Sequence, residues 1–294
     1  MTADLGAAGL PAEMAPRRRP NLADDAADAH LAEHGFTVLS PRLDRRGVED
    51  LAQLYRGAVD EVGRDPSGRF LPSMLISRPE VRARLWDGVG KITRPSLQPL
   101  LRPGTTEVLG GSFVSKPASP HSVRNPHQDP TAFDESRHVG LSVWIPLSDS
   151  HASNGTLFVL PGSHRMGNHV RPPDVDSFDD AVGAVALAES MPIELETGQM
   201  LVIDGAVIHH SPPNESGAER ISAICALGPV GAEMRYVRSD HGVHEGTADI
   251  YEVGVAFYRT GDLVNLDLGG APLVERAPYR PASLADLVAS RRTS

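Results

Sequence analysis

His127-Gln128-Asp129 sits mid-chain, and His209 follows about eighty residues later. Two imidazoles and one carboxylate in the order HxD…H can take one face of an octahedral metal and leave the opposite positions open. That is the donor set of a mononuclear Fe(II) centre that works on a cosubstrate and a gas. In a strand, residues i and i+2 point to the same side, so His127 and Asp129 can share one site. The tripeptide alone is common by chance and reads more readily as hydrogen-bonded histidines near a carboxylate. The surrounding text gives it weight.

Ahead of the HxD stands Phe113-Val114-Ser115-Lys116-Pro117. Between the halves lies Asn154-Gly155-Thr156-Leu157-Phe158-Val159-Leu160-Pro161-Gly162-Ser163-His164. The second half reads Ile208-His209-His210-Ser211-Pro212-Pro213-Asn214, with Arg220 eleven positions after His209. This succession, over roughly residues 28 to 265, resembles the phytanoyl-CoA dioxygenase family of Fe(II)/2-oxoglutarate oxygenases.

The resemblance implies a double-stranded β-helix (a jelly roll) backed by N-terminal helices. It implies Fe(II) on His127, Asp129 and His209, with 2-oxoglutarate as cosubstrate and O2 as oxidant. It assigns Arg220 to the distal carboxylate of 2-oxoglutarate, with Ser211 assisting. A guanidinium can grip a carboxylate with two hydrogen bonds. Trp144 falls where members place a tryptophan near the cosubstrate, and Lys116 holds the family's Lys-Pro position. Core packing is the rival role for Trp144, and a solvated ammonium the rival for Lys116. His210 competes with His209, but alternation sends the two to opposite faces, and the register to Asn214 and Arg220 favours His209. His210 is then a neighbour of the site or a surface residue. Pro161-Gly162-Ser163-His164 reads as a turn, with His164 hydrogen-bonding rather than ligating. Related halogenases replace the carboxylate with a small residue; Asp129 is present here.

Composition narrows the alternatives. The chain has 294 residues and a net charge of −10, with 38 acidic against 28 basic groups. An acidic protein repels phosphate backbones, which disfavours nucleic acid as a partner and leaves a small molecule. Arg17-Arg18-Arg19 reads as a solvated tail. No apolar run is long enough for a membrane span, and the N-terminus lacks a signal-peptide core, so the expected location is cytoplasmic. The single cysteine, Cys225, lies in an apolar run and reads as a small core residue. Abundant Arg, Ala, Gly and Pro with only two lysines, Lys91 and Lys116, suggest a GC-rich bacterial genome.

The elements that must position these residues follow from periodicity. Residues 1 to 23 read as a flexible arm, 24 to 265 as one oxygenase domain, and 266 to 294 as a tail. Asp24 to His34 and Val48 to Val62 carry helical patterns, and Phe70 to Leu101 is mostly helix and loop. Gly35 to Leu39 reads as a strand. From about residue 105 the period becomes that of strands. Val139, Leu141, Val143, Ile145 and Leu147 predict an aliphatic face under helices. Trp144 and its small neighbours predict a face lining a barrel interior. Further strands are expected at Leu157–Leu160, Ile193–Leu195, Met200–Ile203, Val207–Ser211 and Arg220–Leu227. Arg165 to Ser190 fits a mobile flap over the site or a plain surface insertion. Arg124, Asn125, Phe133, Arg137 and His138 flank the HxD and are substrate-contact candidates by position. His121, His138, His151, His169, His241 and His244 have no ligand spacing.

The expected function is a dioxygenase that hydroxylates an unactivated C–H bond of a small molecule. Two rivals remain: a non-catalytic jelly-roll binding module, and a cupin-like metal isomerase, which leaves Arg220 without a role.

Overall fold

The computed structural model describes residues 21–167, 170–239, 246–261, 268, 270–271 and 272–292. The predicted arm lies almost wholly outside the described residues, as do Arg17-Arg18-Arg19, His169, His241 and His244. Where the description begins, Leu22 is already fully buried and bridges Leu101.

Helix α1 (Asp25–His34) starts at Asp24, whose carboxylate accepts from the Ala27 amide, and stops at Gly35 in the left-handed region. Strand β1 (Phe36–Leu39) leads into α2 (Arg45–Val62), capped in the same way by Asp44. The short β2 (Leu71–Pro72) and helix α3 (Pro79–Leu97) precede the long strand β3 (Thr106–Lys116). Then come β4 (Arg124–His127), β5 (Leu141–Pro146) and β6 (Leu157–Val159). Helix α4 (Asp180–Glu189) is followed by β7 (Met191–Ile193), β8 (Met200–Asp204), β9 (His209–Ser211) and β10 (Arg220–Pro229). The described chain ends with β11 (Met234–Ser239), β12 (Gly246–Val253), α5 (Val255–Thr260), β13 (Leu273–Tyr279) and α6 (Leu284–Arg292).

Two antiparallel sheets build the jelly roll. The larger runs β1-β8-β5-β10-β3-β2 and the smaller β4-β9-β6-β7. Side-chain alternation divides the larger sheet. Phe113, Val143, Ile145, Met200, Val202, Ala223 and Cys225 face α1, α2 and α3, where Leu31, Leu51, Leu85 and Val89 meet them. Burying each such aliphatic side chain contributes about 1.5–3 kcal/mol. The opposite face carries Trp144, Leu201 and Ile203, which meet Leu157, Val159 and Ile193 of the smaller sheet. The predicted two-faced character of β5 is therefore present, with Trp144 inside. Cys225 is buried on the helix side, where desolvation raises its thiol to about 11.

The segment from Arg165 to Ser190 is neither a mobile flap nor a plain surface insertion. It holds α4, whose Val182 and Ala186 pack with Leu160, Ile208 and Leu287 on the outer side of the smaller sheet. The predicted tail contains two further elements. β13 pairs with β12, and α6 joins the α4 cluster through Leu287. Strands β11, β12 and β13 form a third sheet. It docks on the loop after the HxD, where the Arg235 amide donates to the Ala132 carbonyl at 2.8 Å and Phe133 packs with Met234 and Val253.

Candidate active site

His127 ends β4, Asp129 follows it, and His209 opens β9. β4 and β9 pair with His127 directly opposite His209. The two imidazole centroids lie 4.2 Å apart, and His209 Nε2 is 3.8 Å from Asp129 Oδ1. One ligand atom from each of the three residues falls within 4.8 Å of the others. Among the described residues this is the one His/Cys/Asp/Glu group with such spacing.

Hydrogen bonds settle which ring nitrogens face inward. Nδ1 of His127 donates to the Asn125 carbonyl at 2.9 Å, and Nδ1 of His209 donates to the Val207 carbonyl at 3.0 Å. A carbonyl can only accept, so Nδ1 carries the proton on both rings and Nε2 keeps its lone pair. Arg124 Nε accordingly donates to His127 Nε2 at 3.3 Å. Burial, then the neighbouring His209 and Arg124, hold the His127 imidazolium well below its usual pKa, so the ring is neutral. Two neutral imidazoles and a carboxylate suit Fe(II), and the chain's cysteine lies on the far side of the larger sheet.

His210 projects to the opposite side of β9 from His209. It is buried against the Phe158 ring, with centroids 5.1 Å apart, and its Nε2 has no partner. The expected alternation holds, but the surface location does not, because Phe158 covers that side. Desolvation, with His209 and Lys116 nearby, lowers its pKa to about 4.

A second group lies deeper between the sheets. Arg220 begins β10 directly opposite Lys116 at the end of β3, so both side chains share a face. Arg220 is 3% exposed, its guanidinium stacks on Trp144 at 4.9 Å, and Nη1 donates to Ser222 Oγ at 3.2 Å. Its Nε has no hydrogen-bond partner, and no carboxylate of the described residues pairs with it. Desolvation pulls its pKa down to about 10. Lys116 is fully buried, and its Nζ donates to the carbonyls of Ser122 and Ser211. Burial and the adjacent Arg220 bring its pKa down to about 7. The solvated lysine allowed by the sequence is thus ruled out.

Gly155 makes room for this lysine. Its φ is +70°, and a Cβ there would lie 2.1 Å from Lys116 Cε and 2.6 Å from the Pro212 carbonyl. Ser211 departs from its expected role. Its hydroxyl donates to the Gly155 carbonyl at 2.6 Å, so its proton is engaged and it has none to offer a carboxylate. Asn214 instead closes the loop after β9, donating to the Lys116 and Ala218 carbonyls at 2.8 and 2.7 Å. Gly162 adopts φ 78° in the predicted turn, and His164 Nε2 meets the Ala32 carbonyl at 3.2 Å.

Of the substrate-contact candidates, Arg124 stands beside His127 and Asn125 supports it, whereas Phe133 is buried against the third sheet. Sequence reasoning missed Arg171 and Glu135. Arg171 is 1% exposed, and its Nη1 and Nη2 fork Glu135 at 2.7 and 2.6 Å. Its Nε donates to the Asp129 carbonyl at 2.8 Å. Nothing in the local spacing marks either residue.

A family model described as phytanoyl-CoA dioxygenase (PhyH) matches residues 92–222. Phytanoyl-CoA dioxygenase 1 of Oryza sativa subsp. japonica is 35% identical over 98 residues, covering 32% of this chain and 35% of that protein. The chain thus spans a little over a third of the length of the curated relatives it matches. Among solved structures, the non-heme alpha ketoglutarate dependent carbocyclase SnoK from nogalamycin biosynthesis superposes with a TM-score of 0.53 at 16% identity. That match covers 87% of this chain and 96% of the other. EctD from S. alaskensis, solved with 2-oxoglutarate and 5-hydroxyectoine, gives 0.52 at 18% identity over 79% and 87%. At these identities the likeness is one of fold.

Proposed function

From the match of residues 92–222 to the phytanoyl-CoA dioxygenase family model, we propose that this chain is an Fe(II)- and 2-oxoglutarate-dependent dioxygenase acting on a small molecule. The observation that carries the reading is Arg220. A guanidinium buried to 3% exposure, with an unpartnered Nε and no carboxylate beside it, calls for an anion from outside the chain. Arg220 begins β10 of the larger sheet, whereas His127 and His209 stand on β4 and β9 of the smaller one. A dicarboxylate that reaches from the metal centre to a buried cation satisfies both groups at once.

In this reading His127, Asp129 and His209 hold the iron, with both Nε2 atoms presented by the Nδ1 bonds to Asn125 and Val207. Arg220 grips the distal carboxylate of 2-oxoglutarate, and Trp144 holds the guanidinium plane and keeps water from that end. Lys116 adds a second positive charge on the same face. Ser211 spends its hydroxyl proton on the Gly155 carbonyl rather than on the cosubstrate. Bound iron, with 2-oxoglutarate and O2, supplies an oxidant for unactivated C–H bonds and yields succinate and CO2. The chain's own task would be to hold the substrate beside this donor set, where Arg124 stands next to His127, and to exclude water.

Hydroxylation is the proposed outcome, in bacterial specialised metabolism and in the cytoplasm. The Arg- and Ala-rich composition supports the genomic setting, and among the described residues no helix is long and apolar enough to cross a membrane. A non-catalytic module or a metal isomerase leaves the unpaired Arg220 without purpose. The test is reconstitution with Fe(II) and 2-oxoglutarate under air, with succinate measured against a His127→Ala control. Metal-dependent succinate formation that disappears in the variant supports the reading. Parent protein that binds neither Fe(II) nor 2-oxoglutarate overturns it.

A further inference from the structure

Resting on the metal centre proposed above, we infer that Arg171 is a positioning residue that aims Asp129 at the metal from a remote segment of the chain. Arg171 lies 42 residues after Asp129 and is buried, and its side chain reaches both Asp129 and Glu135. Nε holds the Asp129 carbonyl at 2.8 Å, and the two Nη atoms hold Glu135 at 2.7 and 2.6 Å. The main chains are tied as well. The Thr131 amide donates to the Arg171 carbonyl at 3.1 Å, and the Arg171 amide donates to Thr131 Oγ1 at 3.0 Å.

The other side of Asp129 is also fixed, because its amide donates to the Gly205 carbonyl at 2.8 Å. Both peptide units flanking the residue are thereby held, one by Gly205 and one by Arg171. That sets the direction of the Cα–Cβ bond and leaves the side chain free to turn toward His209 Nε2, 3.8 Å away. Asp129 stands just past the end of β4, so no strand ladder does this work for it.

The chemistry of the pair fits the task. A lone guanidinium beside Asp129 would compete with the metal for its carboxylate. Forked onto Glu135, Arg171 has its charge balanced, and its Nε–H goes to a carbonyl rather than to the Asp129 carboxylate. The carboxylate of Asp129 stays available. The arrangement also links the metal centre to the segment that leads into α4.

A purely structural ion pair makes a different prediction, and two variants separate the roles. Arg171→Met with Glu135→Leu replaces the buried pair by apolar groups, an exchange that is often close to neutral for stability. Arg171→Lys keeps a charge for Glu135 but cannot fork it and reach the Asp129 carbonyl together. Co(II) affinity is measured by titration of the d–d absorption without 2-oxoglutarate, beside thermal melting and a His127→Ala control. The double variant is expected to melt within a few degrees of the parent and to bind Co(II) roughly 10–100-fold more weakly, as for other residues that orient a ligand. Arg171→Lys is expected to fall between. If the double variant does not fold, Arg171→Lys carries the test: weaker Co(II) binding supports the inference, and parental affinity overturns it. A folded double variant with parental affinity and an unchanged Co(II) spectrum overturns it while the loss in His127→Ala leaves the metal centre standing. A His127→Ala protein that binds Co(II) like the parent removes the metal centre and this inference with it.

Discussion

Replacing Arg220 with Leu separates the cost of a buried charge from its use. Desolvation lowers the Arg220 pKa from its ordinary value to about 10, which corresponds to about 3 kcal/mol against the charged form in the ligand-free protein. The stacking on Trp144 and one hydrogen bond to Ser222 offset only part of this. Leu is close in size to the stem of Arg and carries no charge. Ligand-free Arg220→Leu should therefore melt at or a few degrees above the parent temperature. Its affinity for 2-oxoglutarate should fall. Losing one buried charge-assisted partner costs about 2–5 kcal/mol, or roughly thirty- to several-thousand-fold in Kd. Calorimetric titration of 2-oxoglutarate into Co(II)-loaded protein measures the second effect, and Co(II) titration alone should be unchanged. Parental 2-oxoglutarate affinity in this variant would falsify the placement of the cosubstrate. A large drop in the melting temperature of the ligand-free variant would show that the guanidinium is a structural element instead.

Lys116 gives a pH signature. It is a base whose pKa falls from 10.5 to about 7 on folding, so between those values the folded chain binds fewer protons than the unfolded one. Its contribution to stability therefore rises with pH across that window and is least below pH 7, where both states carry the proton; melting curves of the parent and of Lys116→Met should diverge accordingly. Binding a dianion beside it should drive proton uptake near pH 8, seen as a buffer-dependent binding enthalpy that is absent in Lys116→Met. Gly155→Ala puts a Cβ where Lys116 Cε now lies, at a φ of +70°; it should destabilise the chain by about 1–3 kcal/mol and weaken 2-oxoglutarate more than Co(II) binding. His210→Ala should keep metal binding and turnover while losing about 2 kcal/mol of stability from the vacated space beside Phe158; loss of Co(II) binding there, with His209→Ala unaffected, would shift the ligand register by one residue. Asp129→Gly should abolish the native product, with at most a trace of chlorinated product in chloride; native product at near-parental rate would remove Asp129 from the ligand set.

What the sequence disclosed was local or periodic. His127 and Asp129 share a side because the period of a strand is two. The two faces of β5 were visible for the same reason, and so was the apolar spacing of α2, although that helix begins at Arg45 rather than Val48. The third sheet was hidden because charge interrupts its pattern. Arg235 and Arg238 stand on β11, yet each meets an acid from elsewhere, Asp134 at 3.2 Å and Asp249 at 3.6 Å. An arginine in a strand reads as a break until its partner is known. The same blindness covers Arg171, whose burial depends on Glu135, 36 residues away. It also covers Ser211, where the serine was legible but its bond to Gly155, 56 residues back, was not.

The contrast between Arg171 and Arg220 is itself informative about function. Both are arginines almost fully enclosed by the same fold. One is matched by a carboxylate of the chain and tied to backbone on several sides. The other has a ring, one hydroxyl and a neighbouring ammonium of its own sign. A chain selected only for stability gains nothing from setting Lys116 opposite Arg220 between two sheets, since burial disfavours the charge on both and Arg220 disfavours it further on Lys116. The arrangement becomes favourable when a second anion, supplied from solution, enters between them and the metal centre. In the proposed reading, burial without a partner marks the position where the cosubstrate belongs, and burial with a partner marks the scaffold behind the metal site.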